Sequence, residues 1–273
     1  MDTVKSIVST VKIVNATDTN NDYTQDGILY CGNCHTPKQV RIMSAVLPCA
    51  CKCVYEKYEA ERRAVQEREH AVQVERNRKE TFNIVAFARC TFANDDKANP
   101  ELSKLCRNYA SRFKPDSKGL ILYGGTGVGK TFMAACIANH VLETGNTVKF
   151  TTVSEFESKL WETQGKAGLY DAYAKCGLLV IDDIGAERDN KYMTEILFNL
   201  VDRRLRAGKP MVVTTNLEPE SIFRPAGLAY ERIMSRILEC CVPYRCNGGD
   251  RRIKKAFDES KAYIENLLND GES

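Results

Sequence analysis

An α/β fold, a parallel sheet flanked by helices behind a small cysteine-rich module, is what this 273-residue sequence predicts. Three observations predict it. From about residue 91, short apolar runs alternate with helix-like stretches, the pattern of right-handed βαβ units. One of those runs feeds the glycine-rich stretch Gly124-Gly125-Thr126-Gly127-Val128-Gly129-Lys130-Thr131. Five of the 12 cysteines, Cys31, Cys34, Cys49, Cys51 and Cys53, fall in one short window.

The elements follow in order. Residues 1–53 read as the module, 54–89 as a charged helical linker and 90–273 as the α/β domain. Met1–Val14 alternates polar and apolar residues and lacks a signal-peptide core. No apolar run approaches transmembrane length. A cytoplasmic protein with no membrane contact is therefore expected, its cysteines reduced or bound to metal. The net charge of +3 gives no whole-molecule basic field for nucleic acid. The linker balances acids against bases, and Tyr58, Val65 and Val72 recur every seventh residue as one thin apolar seam. Strands are expected at Leu120–Tyr123, Val148–Thr152, Leu178–Ile181, Met211–Thr215 and Cys240–Val242. Helices are expected at Thr131–Glu143, Ser154–Thr163, Tyr192–Ala207 and Ala229–Leu238. Active sites in such sheets lie at the strand C-terminal ends.

The glycine-rich stretch fits G-x-x-x-x-G-K-[ST], a phosphate-binding loop, in its strand–loop–helix setting. Glycines let successive N–H groups face one phosphate chain. The following helix aims its positive end there. Lys130 would reach the β/γ-phosphates, and the Thr131 hydroxyl would ligate Mg²⁺. Leu178-Leu179-Val180-Ile181-Asp182-Asp183 is an apolar strand that delivers two carboxylates. Asp182 would hold the metal and Asp183 would orient or deprotonate the attacking water. Asn216, after Val212-Val213-Thr214-Thr215, can hold that water against the γ-phosphate. Arg232 and Arg236 lie four apart on one helix face, suited to a phosphate in trans or to an intrachain ion pair. Arg251-Arg252 opens the last helix, within reach of its own subunit's nucleotide.

These residues resemble the AAA+ ATPases of the DnaC/DnaI helicase-loader and IstB type over positions 90–252. The match is carried by Gly124–Thr131, by Leu179-Val180-Ile181-Asp182-Asp183-Ile184-Gly185, by Thr214-Thr215-Asn216 and by Glu231-Arg232-Ile233-Met234-Ser235-Arg236. The resemblance implies an AAA+ fold and an ATPase using ATP and Mg²⁺. It makes these stretches Walker A, Walker B, sensor 1 and the arginine-finger helix, with Arg236 as the finger. It puts the second sensor arginine at Arg251 or Arg252. Only about thirty residues follow the last strand, so the C-terminal lid is expected to be reduced. Implied partners are a hexameric replicative helicase, single-stranded DNA and further copies of this chain when ATP is bound. An IstB-like helper of a transposase is the alternative. A small-metabolite kinase would need neither Asn216 nor the arginine helix.

The cysteine window has zinc spacing. Cys31-x₂-Cys34 and Cys49-x-Cys51-x-Cys53 offer five thiols, with His35 nearby, for four places. Cys31, Cys34, Cys51 and Cys53 are favoured, because the last two lie at a helix start that stabilises thiolates. Cys49 is the spare. Zinc-bearing N-terminal modules occur in some helicase loaders, where they grip the helicase. Between the second and third strands, Lys159, Trp161, Lys166, Tyr170 and Tyr173 suit base stacking. Phe156, Leu160 and Leu169 fit an amphipathic core helix there equally well.

Overall fold

The computed structural model describes residues 21–82, 84–187, 190–251 and positions 257, 260, 261, 263 and 264. The expectations for Met1–Val14 and Arg252 lie outside these residues. Phe257 and Ile264 are helical and exposed. The chain divides into two compact units, 1–69 and 70–273.

The first unit is built from two hairpins. Strand β1 (Tyr23–Gln25) pairs antiparallel with β2 (Ile28–Tyr30) across Asp26-Gly27, a two-residue hairpin signal in the sequence. Strand β3 (Gln39–Ile42) pairs with β4 (Ala45–Pro48). Among the described residues of this unit, only Cys31 and Cys51 are buried. The described residues of the module thus form no apolar core of their own.

Helix α1 (Lys52–Thr81) runs for 30 residues, about 45 Å at the standard rise. Pairs such as Lys52–Glu56, Arg62–Glu59 and Arg76–Glu80 run along its surface. Tyr58, Val65 and Val72 are 60%, 51% and 70% exposed, so the described residues leave the seam open. From His70 onward the helix belongs to the second unit. There Val74 is buried, and the Thr81 hydroxyl donates to the Val148 carbonyl at 2.9 Å. Arg78 donates to Asn139 and Glu143, and Phe82 packs on Phe150. Short α2 (Val85–Ala88) continues this packing through Phe87.

The second unit is a five-stranded parallel sheet wrapped by helices. Helix α3 (Pro100–Ser111) leads in, with Asn99 capping it and Pro100 in its first turn. Then come β5 (Gly119–Tyr123), α4 (Lys130–Glu143), β6 (Val148–Thr151), α5 (Val153–Glu162), α6 (Lys166–Lys175) and β7 (Leu178–Ile184). Next are α7 (Lys191–Arg206), β8 (Met211–Thr215), α8 (Pro219–Phe223), α9 (Leu228–Cys240) and β9 (Cys241–Arg245). The strand order is β6-β7-β8-β5-β9. Strands β5, β7 and β8 are almost wholly buried, as apolar runs covered on both faces should be. This order sets β8 between β5 and β7. The loops after these three strands therefore meet at one end of the sheet, with the loop after β8 in the middle.

All five strands of the sheet expected from the sequence are present, and two run on past their expected C-terminal ends. Strand β7 continues through both acids to Ile184, and β9 reaches Arg245.

Candidate nucleotide site and thiol cluster

The phosphate-loop stretch leaves the end of β5 and enters α4, whose first residue is Lys130. Lys130 is 6% exposed. Its ammonium donates to the carbonyls of Gly124 at 2.8 Å and Gly125 at 2.7 Å, and to Asn216 Oδ1 at 2.7 Å. The Asn216 amide in turn donates to Asp183 Oδ1 at 2.8 Å. One hydrogen-bonded chain thus crosses the three central strand ends, from lysine to amide to carboxylate. Val128 is buried, so only its backbone can serve a ligand.

The acids sit on a break in the ladder. The β7–β8 pairing shifts register between Ile181 and Ile184, a bulge that re-aims the side chains between them. Asp183 holds a left-handed φ of 55°, uncommon for a residue with a side chain. Its neighbour Asp182 is 5% exposed. Burial pushes the Asp182 carboxyl up, against hydrogen bonds from Thr214 and Thr131. Thr214 Oγ1 donates to Asp182 Oδ1 at 2.6 Å and accepts the Asp183 N–H at 2.8 Å. One hydroxyl therefore positions both acids. In the sequence Thr214 has a place in the sensor 1 stretch, two residues before Asn216, and no role toward the acids. The Asp182 carboxylate and the Thr131 hydroxyl beside it make an oxygen donor pair that suits Mg²⁺.

The segment after β9 lies across the phosphate loop. The Arg251 N–H donates to the Gly127 carbonyl at 3.3 Å. Asp250 presses so closely on Gly127 that a Cβ there would collide with its carboxylate. The Arg251 guanidinium is beside Gly129 and pairs with Asp96.

A family model described as IstB-like ATP binding protein matches residues 55–258, which hold this whole arrangement. The chain belongs to the IstB-like ATP-binding family. The replicative helicase loader DnaC of Escherichia coli K12 is 33% identical over 141 residues, 50% of this chain and 56% of that protein. The helicase loader DnaI of Bacillus subtilis 168 is 32% identical over 148 residues, 50% of this chain and 48% of that protein. The chain thus spans about half the length of these two relatives. A Mycobacterium tuberculosis protein named for ATP binding within an insertion sequence is 27% identical over 199 residues, 70% of this chain and 78% of that protein. A crystal structure of DnaI superposes with a TM-score of 0.53 at 23% identity, covering 63% of this chain and 95% of that one. The IstB-like domain therefore has the AAA+ fold, as the resemblance implied.

The arginine helix is α9. Arg236 donates from Nε to Asp202 Oδ1 at 2.8 Å, and its guanidinium lies 4.6 Å from the Phe198 ring centre. It holds the Asp202 carboxyl below the usual carboxylate range. The structure thus places Arg236 in an intrachain ion pair. Arg232 is exposed. Of the residues suited to stacking, Tyr173 is a correction: it is buried under Phe156, with Lys159 bonded to its hydroxyl. Tyr170 also packs edge-on against Phe156. Trp161 is 67% exposed, with Lys166 5.1 Å over its ring.

The thiol cluster precedes the IstB-like match. The Sγ atoms of Cys31, Cys34, Cys51 and Cys53 all lie within 4.8 Å of one another, a set able to hold a metal ion. Cys31 and Cys34 sit on a turn closed by the His35 N–H to the Cys31 carbonyl at 2.9 Å. Cys51 and Cys53 straddle the start of α1, where Thr36 Oγ1 accepts the Lys52 N–H. The Thr36 hydroxyl pulls the Cys34 thiol down to about 5, while Cys53, facing Cys34, is pushed up to about 11. Cys49, the spare of the five thiols, is exposed, its thiol turned to the Pro37 carbonyl, outside the cluster. The alternation in Cys49-x-Cys51-x-Cys53 explains this. Cys49 follows β4, whereas Cys51 and Cys53 are placed by the helix start. Among the described residues, no helix is long and apolar enough to cross a membrane.

Proposed function

We propose that this chain is a cytoplasmic ATPase that grips a hexameric replicative helicase through its zinc-bound N-terminal module and helps place it on single-stranded DNA. The observation that carries the ATPase part is the Lys130–Asn216–Asp183 chain across the three strand ends. The three acceptors around the Lys130 ammonium are replaceable by β- and γ-phosphate oxygens. Asn216 and Asp183 then hold a water in line with the γ-phosphate, and Asp183 takes its proton. Thr131 and Asp182 would hold Mg²⁺, which supplies charge neutralisation on the phosphates. A cavity of about 380 Å³ beside Asp183 and Glu187 leaves room for a residue of a neighbouring copy. Arg236 fills that role if assembly with ATP releases it from Asp202. Arg251, next to Gly129, is the second sensor.

The loader reading rests on the named relatives and on the four-thiol cluster ahead of the ATPase. Four thiolates at this spacing suit Zn²⁺. Trp161 with Lys166 supports a contact to single-stranded DNA, a stacking face beside a cation. One observation favours a second reading, the IstB-like transposase helper: the insertion-sequence relative is matched along more of its length than the loaders are. Co-purification from the native host separates them. A hexameric helicase held by the full chain supports loading, and a transposase held in its place refutes it.

A further inference from the structure

The turn that follows Asp183 is unusual in how it is held. Asp183 and Gly185 both have positive φ, 55° and 118°. A side chain at Gly185 would also run into Leu217. Such a backbone persists only when its surroundings over-determine it. Here each residue of the turn has its own clasp. The Asp183 N–H goes to Thr214 Oγ1, and the Ile184 carbonyl accepts from Thr215 Oγ1 at 2.6 Å. The Gly185 N–H goes to both carboxylate oxygens of Glu187, at 3.0 and 2.9 Å.

The first two clasps come from β8, the neighbouring strand. The third reaches elsewhere. Glu187 is 5% exposed, and its Oε1 also accepts the hydroxyl of Tyr230 at 3.2 Å. Tyr230 is itself buried on α9, the helix that carries Arg232 and Arg236. The Glu187 backbone carbonyl is also engaged, by the Asn190 N–H and by Thr194 Oγ1 at the start of α7. A short side-chain path therefore runs from the arginine helix through Tyr230 and Glu187 to the turn that sets Asp183.

We infer that Glu187 is a positioning residue: it ties the placement of Asp183 to the placement of α9 through the Tyr230 hydroxyl. This inference rests on the proposed ATPase reading. A shift of α9 against a neighbouring copy would be felt at the water-holding carboxylate, because both share the Glu187 carboxylate. The bonds described for Glu187 and Tyr230 run to Gly185, Asn190, Thr194 and each other, away from the phosphate loop. Their loss should leave nucleotide binding alone and slow turnover.

The test uses the full chain and three variants, Glu187→Ala, Glu187→Gln and Tyr230→Phe. Steady-state hydrolysis gives kcat and KM, and titration with a fluorescent ATP analogue gives affinity. Glu187→Ala should lower kcat on the order of 10²-fold, the scale of a displaced reacting group, with affinity unchanged. Tyr230→Phe keeps the clasp on Gly185 and removes the hydroxyl bond to Glu187, so it should lower kcat by a smaller factor. Glu187→Gln keeps an acceptor for the Gly185 N–H and should recover most of the loss. If Glu187→Ala fails to fold, Tyr230→Phe decides. Wild-type kcat in folded Tyr230→Phe overturns the inference, and so does a lowered melting temperature with kcat unchanged. A wild-type chain that hydrolyses no ATP overturns the ATPase reading instead, so the two failures are distinguishable.

Discussion

Lys130 and Asn216 are joined by a 2.7 Å hydrogen bond that ties the phosphate loop to the end of β8. The bond exists because β8 lies between β5 and β7, so its end meets both the loop and the acids. Lys130→Ala should abolish nucleotide binding, because the loop loses the cation it aims at the phosphates. Asn216→Ala and Asp183→Asn should bind ATP normally and lower kcat, by roughly 10²–10³ for the loss of one preorganised polar group. Nucleotide titration beside steady-state hydrolysis checks this. Unchanged turnover in Asp183→Asn would remove that carboxylate from the mechanism.

Thr214 is the hinge of the acidic pair. Its hydroxyl serves Asp182 and the Asp183 N–H together. Thr214→Val keeps the shape and leaves both groups without that partner. Stability should fall by about 1–3 kcal/mol, the cost of unmet buried polar groups. Affinity for ATP should also lose part of its Mg²⁺ dependence, since Asp182 is no longer held. Thr214→Ser should restore both. Melting curves and Mg²⁺ titrations read the two effects, and a Valine variant with wild-type Mg²⁺ dependence would show that Thr214 only packs.

Arg236 has two candidate roles with different signatures. As the partner of Asp202 it contributes stability within one chain. The Asp202 carboxyl is held low in the folded state, so that contribution is complete above the ordinary carboxylate pKa. It fades as pH falls through the lowered folded value. The stability lost in Arg236→Ala should therefore shrink on acidification, and Asp202→Asn should lose a similar amount. As a finger in trans, Arg236 is worth on the order of 10³–10⁵ in rate. Arg236→Ala should then bind ATP and fail to hydrolyse it, while Asp202→Asn hydrolyses normally. Mixing Arg236→Ala with Lys130→Ala should restore some turnover. Mixed oligomers that stay inactive would leave Arg236 with the ion pair alone.

Much of this arrangement was legible because apolar runs, a loop motif and strand-end acids are local signals. The order of the strands was not, since nothing in Met211–Thr215 says that it lies between β5 and β7. The bulge at Asp182–Asp183 was also hidden, because an unbroken apolar run ending in acids reads the same with or without it. Helix α3 is legible in Asn99-Pro100 and in Leu102, Leu105, Cys106, Tyr109 and Ala110 at helical spacing, and it stands beyond the four helices expected. The pairing of Arg236 with Asp202 joins residues 34 apart on two helices and is a tertiary fact. In the module, the spacing separated the thiols correctly only once the start of α1 was taken as their anchor.

The thiol cluster should be the folding nucleus of the first unit and of nothing else. Among its described residues only Cys31 and Cys51 are buried, so metal must supply what an apolar core would. Structural zinc contributes roughly 10–16 kcal/mol to such modules. The full chain should carry about one zinc, as a single four-thiolate site requires. Chelation or Cys34→Ser should unfold the module and leave ATP affinity unchanged, whereas Cys49→Ser should keep the metal. The place of truncation matters. A fragment starting at residue 70 keeps Val74, Thr81 and Phe82, which pack on or bond to the ATPase unit. One starting at 85 exposes the surface under Phe82, about 1.5–3 kcal/mol for that side chain alone. The 70–273 fragment should melt higher than 85–273, bind ATP, hold no zinc and fail to capture the helicase. Capture by 70–273 as strong as by the full chain would move the partner surface onto the ATPase unit and leave the module without its proposed role.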